Sequence, residues 1–407
     1  MNKPRRVVVT GLGAVTSIGT NLPDFWNNLL AGQCGIRPFS LFDPAGYRTQ
    51  TAAQVLEIPD GFLTPSERRR MSRADRMGVA AADEAVRMSG LDLERENPER
   101  IGVILGGGTS GLLDSEAYYE QHLHGEKGRP SHVLNHLPDA ITDRIAQHFE
   151  LQGIKSTITT ACSSSANAMG YAHDAIAAGF ADVIITGGSD VLARLTYGGF
   201  NSLRSVDPEP CRPFDRERKG LSIGEAAGIL VFEEWERARR RGAPILAEFL
   251  GYGVTSDAYH MTAPDPSGVA GGRTVKSALA AAGVNADDVD YVNAHGTATP
   301  QNDSAETAAL KEGLGDRARR IPISSIKSMI GHCLCASGAI EAVATVMTVR
   351  EGRIPPTIHY ENPDPACDLD CVPNAAREGR VDVAISDSFA FGGNSSVVVF
   401  AREAGVY

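Results

Sequence analysis

The sequence predicts an α/β protein built as two similar halves. Three observations carry that expectation. Short runs that are apolar on both faces, such as residues 101–105 and 183–185, alternate with segments of helical periodicity. An Ala-rich helical stretch follows a small-residue turn twice, once after Cys162 and once after His332. The length of 407 residues is long for one simple core.

The elements follow in order. Residues 6–10 read as a first buried strand, closed by a turn at Thr10, Gly11, Leu12 and Gly13. This Gly-x-Gly lacks the third glycine of a dinucleotide fingerprint, whose place Thr16 takes. No Asp or Glu ends a second strand, so nucleotide binding is not expected. Residues 65–89 form a helical segment with a basic run: Arg68, Arg69, Arg70, Arg73 and Arg76. On a chain of net charge −11 such a run is a solvated face or a dock for an acidic partner. The acidic balance argues against nucleic-acid binding. The strand at 101–105 runs into Gly106, Gly107 and Gly108. His122, His124, His132, His136 and His148 follow at spacings that match no metal site. A short strand at 156–158 enters Thr159-Thr160-Ala161-Cys162-Ser163-Ser164-Ser165-Ala166 and a helix over 166–179. Strands at 181–188 and 227–232 and a charged helix over 233–241 complete the first half. Arg241, Gly242, Ala243 and Pro244 punctuate the chain, giving halves of 1–243 and 244–407. The second half repeats the plan, with strands at 245–254, 289–293, 321–325, 381–386 and 397–401 and helices over 269–282 and 336–349. The two Ala-rich helices, 166–179 and 336–349, are expected to pack together, because small residues permit close approach.

Seven cysteines, an odd number scattered along the chain, fit a reducing compartment better than a disulfide framework. No apolar run approaches the ~18 residues of a membrane span. The start resembles a signal peptide only until Gly11 and Gly13 interrupt it, so a cytoplasmic protein is expected. Read alone, Cys162 is a small buried cysteine. Placed at a helix N-terminus it faces unsatisfied N–H groups and the positive end of the dipole, which favour the nucleophilic thiolate. His295 and His332 each sit among small residues at a strand end, where sites gather in α/β sheets. Neutral imidazoles there suit a developing oxyanion or enolate. Phe391, Gly392 and Gly393 offer a backbone N–H with freedom to flex. His332, Cys333, Cys335, Cys367 and Cys371 contain no CxxC, and zinc is not expected.

Thr160-Ala161-Cys162-Ser163-Ser164, Asn293-Ala294-His295-Gly296-Thr297-Ala298-Thr299 and Lys327-Ser328-Met329-Ile330-Gly331-His332 resemble the three signatures of β-ketoacyl-[acyl-carrier-protein] synthases. Phe389-Ala390-Phe391-Gly392-Gly393 resembles the gating loop of the synthase II branch. Arg212-Pro213-Phe214-Asp215 and Ser256-Asp257-Ala258-Tyr259-His260-Met261 match as well, so the resemblance spans residues 6–400. It implies the thiolase fold, five layers α-β-α-β-α from two similar halves, normally as a dimer. It implies a ping-pong Claisen condensation. Cys162 takes an acyl group from the phosphopantetheine of a carrier protein, and malonyl-carrier protein then enters and loses CO2. His295 and His332 stabilise the enolate that attacks the acyl-Cys. The N–H groups of Cys162 and Phe391 form the oxyanion hole. Lys327 and Glu341 match a buried charged pair that supports the histidines. Thr297 and Thr299 match pantetheine-binding positions. Phe200, Thr109 and Phe389 belong to the substrate pocket, and Phe391 is the gate. Arg68, Arg69, Lys127, Arg129 and Arg204 fall near the docking places of the acidic acyl carrier protein. No metal, nucleotide or other cofactor is implied.

The chain departs from the common pattern at Asp387 and Ala390, where Asn and Gly are usual, and at Asn394-Ser395, where Thr-Asn is usual. Thr109 replaces a bulky aliphatic residue that often limits the acyl pocket. Gln301-Asn302-Asp303 with Glu306-Thr307 resembles ketosynthases of type II polyketide systems, including polyene makers. Fatty acid and polyketide elongation therefore both stand. A non-catalytic chain-length factor shares the fold and lacks the nucleophile, so Cys162 favours an enzyme, alone or paired with a chain-length-factor homologue. A degradative thiolase would carry a second cysteine where Phe391, Gly392 and Gly393 stand.

Overall fold

In the computed structural model, which describes residues 4–403, ten strands join in one mixed sheet. They are β1 (Val7–Val15), β2 (Ile101–Gly106), β3 (Lys155–Ile158), β4 (Val183–Asp190) and β5 (Ala226–Glu234) from the first half. The second half supplies β6 (Ala247–Ser256), β7 (Tyr291–Asn293), β8 (Ile323–Ser324), β9 (Val383–Phe389) and β10 (Asn394–Ala401). The order across the sheet is β8-β7-β9-β10-β6-β1-β5-β4-β2-β3. From either edge inward, the strands of each half come third, second, fourth, fifth, first. The directions repeat too. β2 runs parallel to β3 and β4, as β7 does to β8 and β9. β5 is antiparallel to β4 and β1, as β10 is to β9 and β6. The halves meet where residues 7–9 pair with residues 247–249.

The helices that position the site are α1 (Pro65–Arg70), α2 (Arg73–Ser89), α3 (Leu112–Leu123), α4 (Ser164–Ala177) and α5 (Arg194–Ser202). In the second half they are α6 (Val269–Ala282), α7 (Asn302–Leu314), α8 (Lys327–Ile330) and α9 (Ser337–Glu351). Helix α2 covers β1 and β5 from outside, and α6, backed by α7, covers β6 and β10. Between the halves lie α4 and α9, each touching strands of both. The result is α-β-α-β-α layering. A helix sandwiched on all sides has no polar face, and every residue of α9 from Ser337 to Val349 is buried. Gly338 lets the central helices approach: a Cβ there would lie 3.1 Å from the Ala166 backbone nitrogen. The Ala339 N–H donates to Ser165 Oγ at 2.9 Å, pinning α9 to α4. The two Ala-rich helices do pack together.

Three expectations need correction. No turn forms at Gly11 and Gly13, because β1 continues to Val15. Those glycines admit a helix instead: a Cβ on Gly11 would sit 2.0 Å from the Ala85 carbonyl oxygen, and one on Gly13 1.9 Å from that of Ala81. The segment 65–89 is two helices, since Ser72 caps α2 in a reciprocal box with Asp75. The strand expected at 321–325 shrinks to Ile323–Ser324, behind Pro322, which has no N–H to donate.

Candidate active site

Cys162 lies on the turn between β3 and α4, two residues before the helix. Ala161 holds a left-handed φ of 52°, a conformation that costs a non-glycine residue about 1–3 kcal/mol and concentrates at functional sites. Side chains hold the turn in place. Ser164 Oγ donates to the Ala161 carbonyl at 2.6 Å, and Asn167 Nδ2 donates to Thr160 Oγ1 at 2.8 Å.

An open cavity has Cys162, His295 and His332 in its wall, with Thr297, Thr299, Phe200, Phe389 and Phe391. Residues more than 130 positions apart thus meet in one pocket. His295 follows the end of β7, and His332 follows α8. Their rings are 5.4 Å apart, centroid to centroid, and nearly perpendicular.

The hydrogen bonds fix the proton positions. The Leu334 N–H donates to His332 Nδ1 at 2.9 Å, so that nitrogen is an acceptor and the proton sits on Nε2. Lys327 Nζ lies 3.1 Å from His295 Nδ1 and donates to the His295 carbonyl at 2.6 Å. His295 is therefore also an Nε2–H donor. Lys327 closes an ion pair with Glu341, and both side chains are buried. Burial first, and Lys327 second, pull His332 down to about 3 and His295 well below the ordinary histidine range. A group so depressed gains a proton only below that value. We expect the His332 imidazole to stay neutral at pH 5 by nitrogen-resolved NMR; a titration midpoint near 6.5 would contradict the geometry. Burial raises Glu341 to about 7, against the pull of Lys327.

The expectation of a low-pKa thiolate at Cys162 is reversed. Burial pushes the free thiol up to about 11, outweighing Lys327, the Phe391 N–H and its own N–H. The Phe391 N–H that aids the sulfur comes from the loop at the tip of the β9–β10 hairpin. Gly392 and Gly393 take φ of 76° and 74° there, and the Gly392 N–H bonds the Met261 carbonyl at 2.8 Å. Phe391 and Phe200 meet with ring planes tilted by 35° and centroids 5.7 Å apart.

The other candidates divide. Thr297 and Thr299 join hydroxyls at 3.0 Å in the cavity wall. Thr109 does not line the cavity. Its hydroxyl is bonded to the buried Asp190, whose carboxylate also accepts from the N–H groups of Thr109, Val191 and Cys335. Asp190 thereby ties the β2–α3 loop and the segment leading into α9 to the end of β4. The signal available in the sequence is an acid that directly follows Gly187, Gly188 and Ser189 at the end of a central strand. Arg68 and Arg69 on α1, Lys127 and Arg129 beyond α3, and Arg204 beyond α5 are all exposed. Only Arg204 adjoins the cavity in sequence, through Ser205.

Residues 4–238 match the N-terminal domain of β-ketoacyl synthases, and residues 246–361 match the C-terminal domain. The chain belongs to the β-ketoacyl synthase family. It is 41% identical to the 3-oxoacyl-[acyl-carrier-protein] synthase 2 of Synechocystis sp., over 98% of each chain. Among solved structures it resembles the ishigamide ketosynthase/chain length factor, with TM-score 0.94 and 36% identity over 98% of this chain and 100% of that one. It also resembles a type II polyketide ketosynthase solved with its acyl-carrier protein and bound to the hexaketide. That match has TM-score 0.91 and 32% identity over 98% of this chain and 100% of that one. The shared cavity of Cys162, His295 and His332 spans both matched domains. No helix among the described residues is long and apolar enough to cross a membrane.

Proposed function

We propose that this ketosynthase joins an acyl group held on Cys162 to malonyl-acyl carrier protein, with loss of CO2. The observation that carries the reading is the single cavity shared by one thiol and two neutral Nε2–H donors. In the first step the Cys162 sulfur attacks a thioester on carrier-protein phosphopantetheine. The carrier thiol leaves, taking the cysteine proton. The buried thiol is protonated when free, so attack and proton loss are concerted, aided by the Phe391 N–H. In the second step the malonyl C–COO⁻ bond breaks and its electron pair passes to the thioester carbonyl. His295 and His332 hold that enolate oxygen by their Nε2–H groups. The enolate carbon attacks the acyl-Cys carbonyl, whose oxyanion takes the Cys162 and Phe391 N–H groups. The Cys162 thiolate then departs and takes a proton from water. Each oxyanion donor is worth roughly 3 kcal/mol. Electrons and atoms balance without a metal, nucleotide or other cofactor.

Lys327 and Glu341 are positioning residues for His295 in this reading. Thr297 and Thr299 receive the pantetheine arm, Phe200 and Phe389 wall the pocket, and Phe391 is the gate. Thr109, anchored by Asp190, shapes the pocket from behind. Arg68, Arg69, Lys127, Arg129 and Arg204 form the basic dock for the acidic carrier. The two halves, 1–243 and 244–407, are copies of one plan, which the repeated strand order supports. Strand β3 lies at the sheet edge, where an open row of N–H and C=O groups favours pairing with a second subunit. That subunit is another copy or a chain-length-factor homologue, and the ishigamide neighbour favours the latter. The odd, scattered thiols support a cytoplasmic location.

The test supplies a panel of acyl-carrier proteins with malonyl-carrier protein. One CO2 released per 3-oxoacyl product supports the reading. Product formed without CO2, or no product with any acyl chain, overturns it.

A further inference from the structure

Behind His295, among the described residues, lie four buried carboxylates and two cations to match them. Asp303 and Glu306 come from α7, Asp387 from β9 and Glu341 from α9. Lys327 is bonded to Glu341, and Arg218 lies between Asp303 and Asp364. Neither cation bonds Glu306 or Asp387. The hydroxyls of Tyr291 on β7 and Ser324 share a hydrogen bond, and Cys367 and Cys371 near the cluster are thiols raised by burial. His295 is neutral, with His332 beyond it.

Two of these carboxylates grip the backbone that carries His295. Asp387 Oδ1 accepts from the His295 N–H at 2.7 Å. Glu306 Oε2 accepts from the Gly296 N–H at 2.8 Å and from Asn302 Nδ2 at 2.9 Å. Their other oxygens, Asp387 Oδ2 and Glu306 Oε1, are buried and have no donor. The two carboxyls grip adjacent backbone N–H groups, and each lies close enough to perturb the other's protonation. Two carboxylate anions so close in a dry site repel, and each orphan oxygen carries its own desolvation cost. A single proton between the two oxygens removes both penalties.

We propose that Glu306 and Asp387 share one proton, and that this acid–carboxylate pair is the clamp that aims His295 into the cavity. The inference deepens the reading above, because it rests on His295 acting as a donor there. It also gives a role to Asp387, whose carboxylate holds the His295 N–H. An Asn at that position holds the His295 N–H with its oxygen and supplies its own N–H to Glu306, so it needs no proton. The chain with Asp makes the clamp depend on pH.

Burial and mutual repulsion raise the protonation of the pair above the ordinary carboxylate range. A carboxyl raised in the folded state stabilises the fold below its unfolded pKa. That contribution is lost as pH rises through the raised value. The test compares wild type with Asp387→Asn and Asp387→Ala between pH 6 and 10. Thermal midpoints and malonyl-carrier-protein decarboxylation are both measured. We expect the wild-type midpoint and rate to fall on the alkaline side. Asp387→Asn should keep its midpoint over that window, with an alkaline-to-neutral rate ratio about tenfold above wild type, the effect of moving a titration by one unit. Asp387→Ala, which removes the acceptor itself, should lose at least about tenfold at every pH. Parallel alkaline profiles for wild type and Asp387→Asn would overturn the proposal. So would neutral-pH activity that requires added potassium or sodium, which would place a cation rather than a proton between the oxygens. If wild type decarboxylates nothing, the functional reading fails, while the midpoints still decide the clamp.

Discussion

Cys162→Ala is expected to lower condensation by about 10⁴-fold or more, the scale seen when a covalent nucleophile is removed. The side chain is small and buried, and Ala matches its environment, so the fold should survive with little change in thermal midpoint. Decarboxylation of malonyl-carrier protein should persist, because that half-reaction needs the two imidazoles and not the sulfur. The split between the two assays is the informative result. Loss of both would point to a collapsed pocket, and retained condensation would remove Cys162 from the mechanism.

Lys327→Ala should act on the other half-reaction. Lys327 Nζ meets His295 Nδ1, the His295 carbonyl and Glu341. Removing it leaves Glu341 buried without its cation, a loss of about 3–5 kcal/mol for a broken buried pair. It also frees His295 Nδ1 to take the proton, turning the ring away from its donor tautomer. We expect decarboxylation to fall by about 10²–10³-fold, comparable to losing an oxyanion donor, together with a lower thermal midpoint. A Lys327→Met/Glu341→Leu double variant should recover much of the stability, since apolar replacements of a buried pair are often tolerated. It should recover little of the rate. Recovery of both would make Lys327 a purely structural residue.

Much of this was legible in the residues. Apolar runs located the strands, because strands covered on both faces by helices leave no polar alternation. The small-residue helices foretold the central layer, since only Gly, Ala and Ser allow the approach seen at Gly338 and Ala166. Other features are set by distant contacts that no local pattern shows. Gly11 and Gly13 look like a turn, and only the position of α2 reveals why a strand needs them. The thiol of Cys162 has helix N–H groups ahead of it, yet its burial, a property of the whole pocket, outweighs them. The family resemblance set Thr109 at the acyl pocket, and only the fold shows that it is bonded to Asp190, 81 residues away. Asp387 and Glu306 stood out separately in the sequence. Their pairing depends on the register of β9 beside β7 and on where α7 begins.

The most direct measurement is the intact mass of the protein after exposure to an acyl-carrier protein alone, followed by peptide mapping. The account predicts a gain of one acyl group, located on Cys162 and released when malonyl-carrier protein is added. An acyl group on any other residue, or condensation proceeding from a protein that never gains mass, would contradict it.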